Sequence, residues 1–201
     1  GVGGSLWGVA LSQLLHQAWS PQGLWALGVL AVVTFLTLFR YVRLSQDDYH
    51  SVYTLDDVPL YALIFLQGWS AAAVVAGVAR LLFEMVRVGR ALREHPERVH
   101  WAHVIYHFSD IPMSINVTAA AGLTYEALCG GEPLMGGFHN GLAVASATAV
   151  WFLLAFGQNS LAITLRRQLP LSWMLQVFRQ NFRHIRLHVL MLVPLGALLA
   201  I

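Results

Sequence analysis

Residues 100–128 read HWAHVIYHFSDIPMSINVTAAAGLTYEAL, and their two-sided pattern decides how the chain folds. Taken every third or fourth residue, they give His100, His103, His107, Asp110, Ser114, Thr118, Ala121 and Tyr125. At 3.6 residues per turn these fall on one side of a helix. The opposite side reads Ala102, Val104, Ile105, Phe108, Ile111, Ile115 and Ala119, which suits lipid or an apolar neighbour. The stretch is long enough to cross a bilayer. Ionisable groups within a bilayer are costly and face a bundle interior, a cofactor or water.

The rest of the chain has the same character. Of 201 residues, 57% are hydrophobic and 11% are charged, and the mean hydropathy is +0.61. A soluble domain carries roughly 25% charged residues. The expected fold is therefore an all-α polytopic transmembrane helix bundle, a single integral membrane domain over 1–201. Five spans are expected at about 23–42, 58–88, 101–128, 140–165 and 185–201. A short amphipathic run, Ser5 to Trp19, precedes them and is expected at the membrane interface. Small residues crowd the second span (Gly68, Ser70, Ala71, Ala72, Ala73, Ala76, Gly77) and the fourth (Gly141, Ala143, Ala145, Ser146, Ala147, Ala149), where they let helix backbones approach. Pro112 is expected to kink the third span. Residues 43–57 and 129–139 read as loops. Residues 166–184 read as a basic, amphipathic surface segment.

Charge orients this arrangement. The twelve basic residues are all arginine. Arg87, Arg90, Arg93, Arg98, Arg166, Arg167, Arg179, Arg183 and Arg186 follow spans two and four, whereas only Arg40 and Arg43 follow span one. The positive-inside rule puts the former set, with the amino terminus, in the cytoplasm, and loops 43–57 and 129–139 outside. A bacterial inner (cytoplasmic) membrane is the expected location. No signal-peptide cleavage pattern is legible at the start. The chain begins at Gly1 and ends at Ile201 inside an apolar run, so further sequence is expected beyond it.

Composition also restricts the chemistry. Without lysine there is no Schiff-base retinal and no lysine nucleophile. A single cysteine, Cys129, excludes an internal disulfide, a cysteine-rich zinc site and an iron–sulfur cluster. The net charge of +2 does not suggest nucleic acid as a partner. No HExxH, GxSxG or P-loop motif occurs.

Nine histidines in so apolar a chain then stand out. His103 with His107, and His184 with His188, are i, i+4 pairs, each presenting two imidazoles to one helix side. In the expected topology both pairs enter the membrane from the cytoplasm, at the depth where span two brings Glu84. Three readings remain open. Facing imidazoles among His103, His107, His184 and His188 suit the axial positions of haem b or a related cofactor. The same residues with His100 and Asp110 suit a zinc, copper or iron ion, and an open coordination position would make the site catalytic. Otherwise the histidines are interfacial residues of a non-catalytic scaffold subunit. The leading expectation is a membrane subunit of an electron-transfer complex, with other membrane-complex subunits as partners. Ser114, Thr118 and Tyr125 form a line that could carry protons or touch a quinone or pigment, with helix packing the favoured role for Ser114 and Thr118. Glu84, between Arg80 and Arg87, is expected to form an ion pair on its own helix face.

Overall fold

In the computed structural model the described residues are 2–39, 41–44, 51–54, 57–94, 101–129, 138–166, 168–170, 172–176 and 178–179. They form helices α1 (Val2–His16), α2 (Pro21–Leu38), α3 (Asp57–Gln67), α4 (Trp69–Glu94), α5 (Trp101–Phe108), α6 (Asp110–Cys129) and α7 (Phe138–Arg166). One antiparallel hairpin, β1 (Tyr41–Leu44) with β2 (Ser51–Thr54), pairs Tyr41 with Thr54 and Leu44 with Ser51. The helical class is thus as expected, with a strand pair at the ends of the expected loop 43–57. The expected fifth span, 185–201, lies outside the described residues. Among the described residues, two helices are long and apolar enough to cross a membrane, Pro21–Leu38 and Asn140–Ala162 within α7.

The helix ends follow from local chemistry. Ser20 caps α2, its hydroxyl accepting from the Gly23 N–H at 3.0 Å, and Pro21 supplies a first-turn residue that needs no N–H partner. α7 ends in a Schellman arrangement. The Leu169 N–H donates to the Thr164 carbonyl at 3.0 Å, the Gln168 N–H to the Leu165 carbonyl at 3.2 Å, and Gln168 takes a left-handed φ of 51°.

Residues 58–88 are not one span. The chain reverses at Gly68, whose φ of +86° only glycine adopts without strain. Both helices keep their bonding up to this residue: the Gly68 N–H donates to the Ile64 carbonyl and the Ala72 N–H to the Gly68 carbonyl. The side chains reveal the reversal. The Tyr61 ring meets Trp151 at 4.8 Å and the Phe65 ring meets Tyr125 at 4.9 Å, so α3 climbs toward the carboxyl end of α6. Trp69 then packs on Gly122, and Gly77 lies beside Ile115, so α4 descends again. α3 is buried from Val58 to Phe65. A run apolar on all sides reads in sequence as lipid-facing, but here it is enclosed by α2, α4, α6 and α7.

The third expected span is also divided. α5 and α6 are separate helices flanking Ser109, and Pro112 stands in the first turn of α6, where its missing N–H costs nothing. The interruption expected of Pro112 is thus present, one turn before the proline, as a full break at Ser109.

α1 departs from the interfacial position expected of it and packs against α4 and α6. Gly3 abuts Pro112, the Trp7 indole fills the space over Gly77, and Ala10 joins Trp69, Ala73, Val74 and Ala119 in one apolar cluster. The partners advance along α6 and retreat along α4. α1 therefore runs parallel to α6, and it covers the face of Ile115 and Ala119 that the sequence left open to lipid or a neighbour.

This extra pass reverses the direction expected for α2. Gly23 lies beside Gln67 and the Phe39 ring meets Phe83 at 5.0 Å, so α2 runs alongside α4 in the same direction. The β1–β2 hairpin consequently follows at the end of the molecule where α4 ends, not at the opposite end as the loop assignment had it. One end of the bundle, the arginine end, holds Gly3, Phe39, the second half of α4 and Asp110, and α7 finishes there at Arg166. The other, the glutamate end, holds residues 17–23, Gly68, Glu126 and Asn140. Beyond α7, Phe178 returns along its flank and packs on Phe152 and Phe156 at 6.4 Å each.

Candidate functional site

At the arginine end an ionic cluster interrupts the apolar packing. Glu84 on α4 is fully buried, at 0% side-chain exposure. Its Oε1 lies 3.9 Å from Arg80 Nε and 3.7 Å from Arg87 Nη1, one turn to either side on the same helix. The ion pair expected around Glu84 is present. Arg80 also reaches across to the first residue of α6, with Nη2 at 3.7 Å from Asp110 Oδ2, and its guanidinium stands 5.8 Å from the Phe83 ring centre. Two arginines and two carboxylates thus come together where α4 meets the break between α5 and α6. Burying an ion pair gains little net stability, but removing one partner strands the other charge. The cluster is therefore a strong constraint on how α6 starts.

α5 lies against α4 and α6 beside this cluster. It carries His103 and His107 one turn apart on a continuous helix, so the spacing read from the sequence is real in the backbone. The imidazoles themselves, like His100, His184 and His188, lie outside the described side chains. Asp110 is half-buried and engaged with Arg80. Among the described residues, no three of His, Cys, Asp and Glu gather closely enough to hold a metal ion. The candidate residues for a cofactor at this end are His103 and His107 on α5, with Asp110, the first residue of α6, across the break at Ser109.

The lower stripe meets a different fate from its upper part. Thr118 and Tyr125 are buried among helices, Tyr125 against Phe65. Cys129 is buried and its thiol lies 3.4 Å from Asn140 Oδ1, joining the end of α6 to the start of α7. Thr118 is thus buried in the helix packing, as expected, without a hydrogen bond from its hydroxyl to a neighbouring backbone.

Glu126 has a role that sequence reasoning missed. Its Oε1 accepts from the Trp69 N–H at 2.8 Å, where α4 starts after the reversal at Gly68. A carboxylate on the first free N–H of a helix is favourably placed for both the hydrogen bond and the helix dipole. Glu126 and Trp69 are 57 residues apart, so no local capping pattern could announce the pair. The bridging role of Arg80 was equally hidden, because its partner Asp110 lies on another helix.

No protein-family model matches the chain, and no curated protein matches it in sequence.

Proposed function

We propose that this chain is a membrane-embedded subunit of an electron-transfer complex, holding haem b or a related histidine-ligated cofactor at its arginine end, on the cytoplasmic side of a bacterial inner membrane. The observation that carries the reading is the position of α5: a helix with histidines at i and i+4, seated beside an ionic cluster around the buried Glu84 in an otherwise apolar bundle. His103 or His107 would supply one axial nitrogen and His184 or His188 the other. The bound group would supply the electron-accepting iron. Asp110, held by Arg80, would fix the first turn of α6 and with it the approach of α5. A quinone and further membrane subunits are the partners this activity needs.

The membrane part of the proposal draws on charge. Among the described residues every arginine of α4, together with Arg166, lies toward the arginine end, and none lies at the glutamate end. Once α2 is seen to run alongside α4, Arg43 of β1 moves from the outward to the inward set. The positive-inside asymmetry is then sharper than the sequence-based topology allowed. In this frame α1, α2, α4, α6 and α7 cross or nearly cross the apolar layer, and α3 enters it from the arginine end and turns back at Gly68.

A visible spectrum of the purified protein, oxidised and reduced, tests the cofactor. A Soret band and a sharp α band that vanish in His107→Ala or His188→Ala support haem ligation by those residues. Bands retained in both variants remove them from the ligand set. A colourless protein with stoichiometric zinc, copper or iron supports the second reading, a metal-dependent membrane enzyme. A protein with neither colour nor metal supports a scaffold subunit, which the tight glycine contacts at Gly77 and Gly122 favour.

A further inference from the structure

The outward stripe of α4 carries a pattern that the cofactor reading does not use. Leu82, Met85 and Val86 are 45%, 55% and 44% exposed, on a helix whose opposite side buries Glu84. Continuing along the same face come Gly89 and then Arg93, with Arg90 at its edge. Arg90 and Arg93 are both exposed. A Cβ built on Gly89 would meet nothing within 4 Å, so the stripe has a notch between its apolar and its basic part. From Leu82 to Arg93 the helix rises about 16 Å. That is close to one leaflet's share of a hydrocarbon core of roughly 30 Å.

We propose that this stripe binds one anionic phospholipid, with its acyl chains along Leu82, Met85 and Val86, its glycerol in the notch at Gly89 and its phosphate between Arg90 and Arg93. Guanidinium groups suit phosphate because two parallel N–H donors match two oxygens. Charge complementarity selects the occupant. Of the nearby described carboxylates, Glu84 is buried on the far side with Arg80 and Arg87, and exposed Glu94 stands one turn from Arg90, so the two arginines keep a net positive charge over it with which to attract an anion. A zwitterionic lipid offers the same acyl chains without the net charge. The proposal rests on the membrane location proposed above and not on the cofactor.

The full chain, purified in an uncharged detergent, is mixed with phosphatidylglycerol or phosphatidylcholine, and retained lipid is counted by native mass spectrometry. One phosphatidylglycerol per chain is expected, with little phosphatidylcholine. R90Q/R93Q should weaken phosphatidylglycerol retention about thirtyfold, given the attraction of each basic residue for an anionic surface. Gly89→Leu places its Cβ where no atom lies within 4 Å, and should lower retention while thermal unfolding in detergent stays unchanged. Equal retention of the two lipids, or unchanged retention in R90Q/R93Q, overturns the proposal. So does a copurifying protein subunit that shields Arg90 and Arg93 from modification in the absence of lipid. Sedimentation separates the two levels of failure. A chain monodisperse without detergent refutes the membrane location itself, whereas a detergent-requiring chain with no preference for phosphatidylglycerol refutes only the headgroup site.

Discussion

At the scale of single residues, the packing turns on where a side chain is missing. Gly122 lets Trp69 lie directly on the α6 backbone, so an added Cβ would collide with both Trp69 Cβ and its Cα. Neither is the end of a flexible chain that could swing aside. Gly122→Ala is therefore expected to lower stability by about 1–3 kcal/mol, the usual cost of overpacking. Gly28→Ala is the control: nothing lies within 4 Å of that position on α2, and the change should stabilise its helix by roughly 0.5–1 kcal/mol. Thermal unfolding in detergent reads both. Glu126 gives a second test. Glu126→Ala removes the acceptor from the Trp69 N–H and should cost about 1.5–3 kcal/mol, as hydrogen bonds to charged groups do. Glu126→Gln keeps an oxygen at the same reach and should lose less. Equal losses in the two variants would mean that the carboxylate charge, and not the acceptor, holds the reversal. None of these contacts was legible in the sequence. The small residues of the second span announced close helix approach, but not which of them would meet a tryptophan.

At the scale of elements, the sequence showed which stretches are helical and hid how they connect. The 58–88 run was visibly longer than the roughly 20 residues that a crossing needs. That excess was the trace of a reversal, yet Gly68 looks like any other small residue in a helix until its φ is known. The break at Ser109, by contrast, lies one turn before Pro112, where a proline disrupts a helix, and only its completeness was hidden. The ionic cluster shows what such a break is worth. Arg80 holds Asp110 at the start of α6 and shares Glu84 with Arg87, so Arg80→Leu leaves two carboxylates with one guanidinium between them. A loss of about 3–5 kcal/mol is expected, the range for breaking a buried pair. The exchange Arg80→Asp with Asp110→Arg restores opposite charges across α4 and α6, though it sets a new carboxylate one turn from Glu84. Partial recovery of thermal stability over either single change would establish the interhelical pair. No recovery would assign the constraint to Glu84 and Arg87 alone. The histidine pair on α5 was legible as a spacing, and remains so in the backbone, because i, i+4 geometry survives whatever neighbours the helix acquires.

At the scale of the whole molecule, the decisive difference is one of thread. A hydropathy reading treats a run of fifteen residues as too short to count, and α1 is a helix of that length, spanning about 22 Å. Its contacts with Pro112 at one end and with the Ala10 cluster at the other show that it nevertheless travels with α6 through most of the bundle. Counting it as a pass flips α2 and carries the β1–β2 hairpin to the arginine end, and the flip leaves the amino terminus, the hairpin and the end of α7 together. The consequence can be read in intact cells or oriented vesicles with a membrane-impermeant thiol reagent, after Cys129→Ser removes the single native thiol. Glu94→Cys and Gln168→Cys mark the arginine end, and Gln17→Cys and Gln22→Cys mark the glutamate end; all four positions are exposed. Ser51→Cys in β2 distinguishes the two threadings. It should label with Glu94→Cys and Gln168→Cys, from the cytoplasmic face, and stay protected whenever Gln17→Cys and Gln22→Cys react from outside. Labelling of Ser51→Cys together with the glutamate-end pair would return α2 to the direction that hydropathy gave it. It would also detach α1 from α6 and restore the two outward arginines that the positive-inside rule disfavours.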